Sequence, residues 1–183
     1  NKAGGSFLYA HCAKTGVLIA RCKVFHNGST IRNFTEVFNV ADKQQVNDST
    51  WALVVYGSKN IALVFIELNE LFIEQKVKFS RAVQLATLDD WIVAVKHVHV
   101  AEESVHHLII GFAHNFAEIY RLKLAATVPV ELKKIHKVRG EPNCLVYGMT
   151  FLTNNTTSND NFLSDTVAVC GTIMSQVSFF FLL

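Results

Sequence analysis

An apolar run that ends in glycine, turns through a few polar residues and returns as an alternating run occurs three times in this chain. The copies are Trp51–Ile66, Leu108–Tyr120 and Val167–Val177, with glycines at Gly57, Gly111 and Gly171, 54 and 60 residues apart. Recurrence at such a period marks stacked β-units, none of which can bury its apolar face alone. Arrays of this kind display surfaces to partners, which directs the reading away from catalysis. A weaker copy precedes them: Ser6–Ala10, a turn at Ala13–Gly16, then Val17–Val24.

The flanks of each hairpin extend the pattern to four strands. Asp90–His97 and Asn143–Leu152 read as strands before the second and third hairpins, and the more polar Leu71–Phe79 and Val128–Ile135 follow the first two. Three apolar strands and one of alternating charge are expected where sheets lie between neighbours and only the fourth strand meets water. Hydrophobic content of 50% against 17% charged fits that burial. Pro129 would sit in an outer strand, where a missing ladder donor is tolerated. Glu36–Thr50, Gln84–Asp90 and the polar Asn154–Ser164 read as loops. The units divide at about 1–50 (partial), 51–88, 89–142 and 143–183 (truncated). Three to three and a half such units cannot close a ring, so a longer protein is expected.

The formal net charge of +2 singles out no partner. Residues 166–183 carry no charge, but Gly171, Thr172, Ser175, Gln176 and Ser178 make them a buried strand pair rather than a membrane span. No two of Cys12, Cys22, Cys144 and Cys170 stand at zinc or redox spacing, and the last two read as reduced core thiols. Sequons begin at Asn27, Asn33, Asn47, Asn154 and Asn155, the one argument for secretion; a cytoplasmic location is favoured.

Candidate chemistry is sparse. His97, His99, His106 and His107, with Glu102 and Glu103, could meet across a hairpin; a mostly solvated turn is the plainer reading, and no metal is expected. Ser6, Ser58 and Thr150 lack a base and an orienting group. Asp89 and Asp90 read as capping the loop before a strand, and Gly57–Asn60 as a hairpin turn rather than a phosphate loop. Lys133, Lys134, His136, Lys137 and Arg139 form a basic run that ends an outer strand and enters a loop. It is a candidate RNA or partner surface, though no aromatic residues interleave with it.

In order, Leu53-Val-Val-Tyr-Gly-Ser-Lys59, Asp90-Trp-Ile92 followed by Ile110-Gly-Phe-Ala-His-Asn115, and Thr166-Val-Ala-Val-Cys-Gly171 with Ser175-Gln-Val177 resemble WD-repeat propellers. The set is most similar to the amino-terminal region of the WD repeat-containing protein 6 family, WD-repeat partners of the tRNA wobble-ribose methyltransferase. That family has an FGSK element, a DWI element followed by GHN, and a VAG…SQ element in this order, and the resemblance covers most of residues 5–177. The chain departs from it in lacking a Trp-Asp dipeptide and in running into Ser178-Phe-Phe-Phe-Leu-Leu183 instead of an Ile/Val-Trp ending. The resemblance implies an all-β fold, a partial WD40-type β-propeller of about three to three and a half four-stranded blades in an open ring. It implies a non-catalytic scaffold that binds a tRNA 2′-O-methyltransferase subunit and promotes methylation of the wobble ribose, with tRNA itself a further partner. No cofactor is expected in this chain, because S-adenosylmethionine would belong to the enzyme. The alternative is a general WD-repeat interaction platform in another cytoplasmic complex.

Overall fold

The structure, a computed structural model, describes residues 4–26, 28–40, 50–69, 76–100, 105–124, 130–153, 166–173 and 177–182. These residues are all-β: fourteen strands in four antiparallel sheets, with no helix among them and no sheet closed on itself. The chain forms two compact units, Asn1–Thr87 and Leu88–Leu183.

In the first unit, β1 (Ser6–His11) and β2 (Leu18–Phe25) make the expected hairpin. A second sheet holds β3 (Asn33–Phe34), β4 (Phe38–Asn39), β5 (Thr50–Tyr56), β6 (Asn60–Asn69) and β7 (Lys76–Thr87). Its order is β3-β5-β6-β7, with β4 also paired to β5. Val24 and Phe25 of β2 meet Leu53, Val55, Ala62, Val64 and Ile66 in one core. Two expected loops are partly strand. Phe38–Asn39 pairs with β5, and β7 runs through Gln84 to Thr87. Polar anchors hold that end of β7: Thr87 Oγ1 donates to Asn60 Oδ1 at 2.8 Å, and Gln84 Nε2 donates to the same oxygen at 3.5 Å. Leu71–Gln75 of the expected outer strand lie outside the described residues.

The second unit opens with a four-strand meander, β8 (Ile92–Val100), β9 (Val105–Phe112), β10 (Phe116–Lys123) and β11 (Glu131–Arg139). A three-stranded sheet follows: β12 (Val146–Thr153), β13 (Thr166–Thr172) and β14 (Val177–Phe181). Ile109, Ala117 and Ile119 of the first pack face to face on Phe151, Ala168 and Cys170 of the second. Met149 fills the space where a Gly111 side chain would stand. Cys144 and Cys170 are buried free thiols, as expected, and burial together with the neighbouring Cys144 pushes Cys170 up to about 11.

The two sheets of this unit repeat one register. Ile92 pairs with Phe112, a bulge follows, and Ala94 pairs with Gly111. Likewise Val146 pairs with Thr172, a bulge follows, and Gly148 pairs with Gly171. Each hairpin turn is tied to the preceding strand by one amide, Ala113 N donating to Trp91 O and Ile173 N to Leu145 O, both at 3.0 Å. Gly111 and Gly171 are therefore equivalent. Gly57 is not: it follows the last residue of β5, and its N–H donates to Asn60 O at 2.8 Å to close the turn. A Cβ on Gly57 would stand 2.5 Å from the Thr30 carbonyl oxygen, so close backbone approach sets glycine there.

The strand pair expected to be buried at 166–183 is covered on one side only. Ala168, Cys170 and Leu182 are fully buried, whereas Phe179 is 64% exposed. Side chains alternate across a strand, and among the described residues of this unit the face turned toward β8–β11 is the one with a sheet against it. Among the described residues no helix is long and apolar enough to cross a membrane.

Candidate interaction surface

The basic run does not enter a loop. All five residues lie within β11, an edge strand paired only with β10 among the described residues. A bulge between Ile119 and Tyr120 then divides them between two faces. Register places Lys134 opposite Tyr120, Lys137 opposite Glu118 and Arg139 opposite Phe116 on one face; Lys133 stands opposite Arg121 and His136 opposite Ile119 on the other. The five residues do not form a single patch.

Two of these cations already serve the fold. Glu118, on β10, is buried, and its Oε1 accepts from Lys134 Nζ at 3.2 Å and Lys137 Nζ at 3.3 Å. Its Oε2 accepts from the Tyr120 hydroxyl at 2.5 Å. Burial alone would push the carboxyl up; the bonds from Tyr120, Lys134 and Lys137 outweigh it and hold Glu118 below the usual range. Burial, then the Glu118 bond and charge, push the Tyr120 hydroxyl up. Replacing Glu118 with alanine leaves the buried Tyr120 hydroxyl without its acceptor and removes the carboxylate that two partly exposed ammonium groups share. Stability should fall by about 2–3 kcal/mol in urea denaturation, and Glu118→Gln, which keeps an acceptor, should lose less.

Lys137 Nζ also lies 3.7 Å from the Phe116 ring centroid, and Phe116 stacks on Phe112 at 4.5 Å. Beside them opens a cleft of about 540 Å³, with Lys137 and Arg139 on one wall and the turn residues His114 and Asn115 on another. The cleft is built by two short polar systems. Asp90 accepts from Trp91 N at 2.7 Å, from His114 N at 3.2 Å and pairs with His114 Nδ1 at 2.8 Å. It thus tightens the loop before β8, as expected, and also clamps the β9–β10 turn 24 residues later. Burial pushes the Asp90 carboxyl up, but these hydrogen bonds and the His114 charge leave it lowered. Asn115 takes a left-handed φ of 54° at the turn; its carbonyl accepts from Gly140 N at 2.8 Å and its Nδ2 donates to Glu141 O at 3.0 Å. Asparagine is one of the few side chains that tolerate that conformation.

His106 and His107 correct the expected solvated turn, while His99 is exposed as expected. His106 and His107 are buried, His97 Nε2 and His106 Nδ1 share a hydrogen bond at 2.9 Å, and His99 stacks on His106 with centroids 4.5 Å apart. The β8–β9 register sets His97 opposite Leu108 and His99 opposite His106, so imidazoles stack across the hairpin. Burial, then the charges of His106, His99 and His107, push His97 down to about 3; burial, then Arg121, pushes His107 down to about 4. Among the described residues no group of three or more His, Cys, Asp or Glu is arranged to hold a metal ion. Glu102 and Glu103 lie outside those residues.

Ser6 Oγ is committed to the Ser29 carbonyl. Of the sequons only Asn33 lies among the described residues, in β3, where its side chain accepts from Phe34 N at 2.9 Å. Pro129, Asn154–Ser164, Ser175 and Gln176 lie outside them. One exposed row escaped the sequence reading: Phe7, Tyr9 and His11 on β1. Its signal was the alternation along Phe7-Leu8-Tyr9-Ala10-His11, which places every second side chain on one face. No family model, curated protein or solved structure matches the chain.

Proposed function

We propose that this chain is a non-catalytic scaffold made of WD-repeat-type propeller blades, which binds a tRNA 2′-O-methyltransferase and promotes methylation of the tRNA wobble ribose. The observation that carries this reading is the meeting of two elements on which the family resemblance rests: Asp90, of Asp90-Trp-Ile92, holds His114, of the His114-Asn115 turn, at 2.8 Å. The repeated register of β8–β9 and β12–β13 supports the blade reading, since sheets stacked face to face with matching bulges are what a repeat array requires. S-adenosylmethionine is bound by the partner enzyme in this scheme, and the basic residues of β11 are offered as two separate contact surfaces for that partner or for tRNA, Lys134, Lys137 and Arg139 on one face and Lys133 and His136 on the other. Arg139 and Lys133, which stand on opposite faces, would then face different contacts.

Affinity purification of the chain from cells should recover a 2′-O-methyltransferase, and depletion should lower wobble-ribose methylation measured by mass spectrometry of tRNA nucleosides. Repeated recovery of other complexes, with methylation unchanged on depletion, would sink the reading.

A further inference from the structure

The first 35 residues contain five Lys or Arg (Lys2, Lys14, Arg21, Lys23, Arg32) and no Asp or Glu, whereas the remaining 148 carry twelve basic and fifteen acidic residues. A chain of net charge +2 thus holds a +5 segment at one end. The β1–β2 hairpin lies in that segment. Its inner face is accounted for: Leu8 and Cys22 pack on the core of Val24, Phe25, Leu53 and Val55.

The outer face has a different chemistry. Phe7 is 40% exposed, Tyr9 52%, and His11 also faces solvent. The rings form a ladder, with centroids 6.2 Å apart from Phe7 to Tyr9 and 6.5 Å from Tyr9 to His11. Directly across the hairpin, Lys23 pairs with Phe7 and Arg21 with Tyr9, so each ring has a cation on its own face of the sheet. His11 is steadied by a 3.0 Å hydrogen bond to Gly16 O. The outward face of β12–β14, by contrast, presents Leu152, Val169, Val177 and Phe179, with no charged residue among the described ones. An apolar sheet would suit that second face. It would not suit the first, where Arg21 and Lys23 would be desolvated without a counter-charge.

We propose that the outer face of β1–β2 binds single-stranded RNA, with bases stacking on Phe7 and Tyr9 and phosphates held by Arg21 and Lys23. Exposed aromatics on a sheet face accept splayed bases of any sequence, and flanking cations follow the backbone. The inference is independent of which enzyme the scaffold serves, because it concerns RNA contact alone.

The test is fluorescence anisotropy of the full chain with a fluorescein-labelled single-stranded RNA of about 12 nucleotides, across a salt series, and with DNA of the same sequence. Binding should weaken with salt. Phe7→Ala and Tyr9→Ala should each reduce affinity about fivefold or more, while Tyr9→Phe, which keeps the ring, should stay within about twofold. Arg21→Gln should lower the slope of log affinity against log salt by about 0.7, as expected for one phosphate contact on a single strand. Weaker binding of the DNA would assign the backbone preference to the 2′-hydroxyl; equal binding would leave the stacking site in place for either strand. Circular dichroism checks that each variant remains folded. Absence of RNA binding, or binding unmoved by both alanine variants and by Arg21→Gln, overturns the proposal.

Discussion

Gly57→Ala should destabilise the amino-terminal unit by about 2–3 kcal/mol, the range for forcing an extra methyl group into a filled site. The added Cβ would stand 2.5 Å from a backbone carbonyl, that of Thr30. That carbonyl cannot swing aside as a side chain can, so the segment before β3 must shift or the β5–β6 turn must open. Gly111→Ala should cost less, about 1 kcal/mol, because the atoms in its way are the flexible end of Met149 and the ring edge of Phe151. Gly171→Ala meets nothing within 4 Å and should be neutral or gain a few tenths of a kcal/mol from a less flexible unfolded chain. Urea denaturation of the three variants, with hydrogen exchange locating each loss, should therefore rank them 57, 111, 171. A loss at Gly171 as large as that at Gly57 would contradict the open face described for β13.

The second unit should weaken on mild acidification. His97 is held neutral, its pKa pushed down to about 3 against about 6.5 for an unperturbed imidazole, and His107 is pushed down to about 4. Below pH 6.5 the unfolded chain takes up protons that the folded one refuses, so stability falls as pH falls. The contribution is complete above about 6.5 and is lost progressively toward the folded values. At pH 5, one and a half units below the free value, the His97 share alone is about 2 kcal/mol. Asp90 and Glu118, both lowered, remain ionised there, so their stabilisation is lost only at lower pH. The urea midpoint of the unit should drop between pH 7.5 and pH 5, and His97→Leu should reduce the pH dependence. An unchanged slope in that variant would mean that other groups carry the effect.

Much of the strand plan was legible because it is written locally. Trp51–Ile66 and Leu108–Tyr120 state both strands and the turn between them, and they fold as read. What escaped was set by partners distant in sequence. Gln84 and Thr87 look like loop residues until Asn60 supplies their hydrogen bonds. His106 and His107 look solvated until the β8–β9 pairing buries them, with His99 stacked over His106 on the exposed side. Lys134 and Lys137 look like parts of one basic patch until a bulge aims both at Glu118 and leaves Lys133 on the other side. A single-residue slip in pairing reverses the face of every residue beyond it, and no periodicity count along one strand can reveal it.

The sequence by itself determined the all-β character, the hairpins and the exposed outer strand, because alternation of apolar and polar residues encodes which side of a strand is dry. Tertiary structure alone decided which of three similar glycines is indispensable. Gly57 faces a carbonyl, Gly111 a methionine and Gly171 open space, differences that depend on what a neighbouring sheet or loop places there. A residue's own sequence context records its conformation, but the atoms that would collide with its side chain come from elsewhere in the chain.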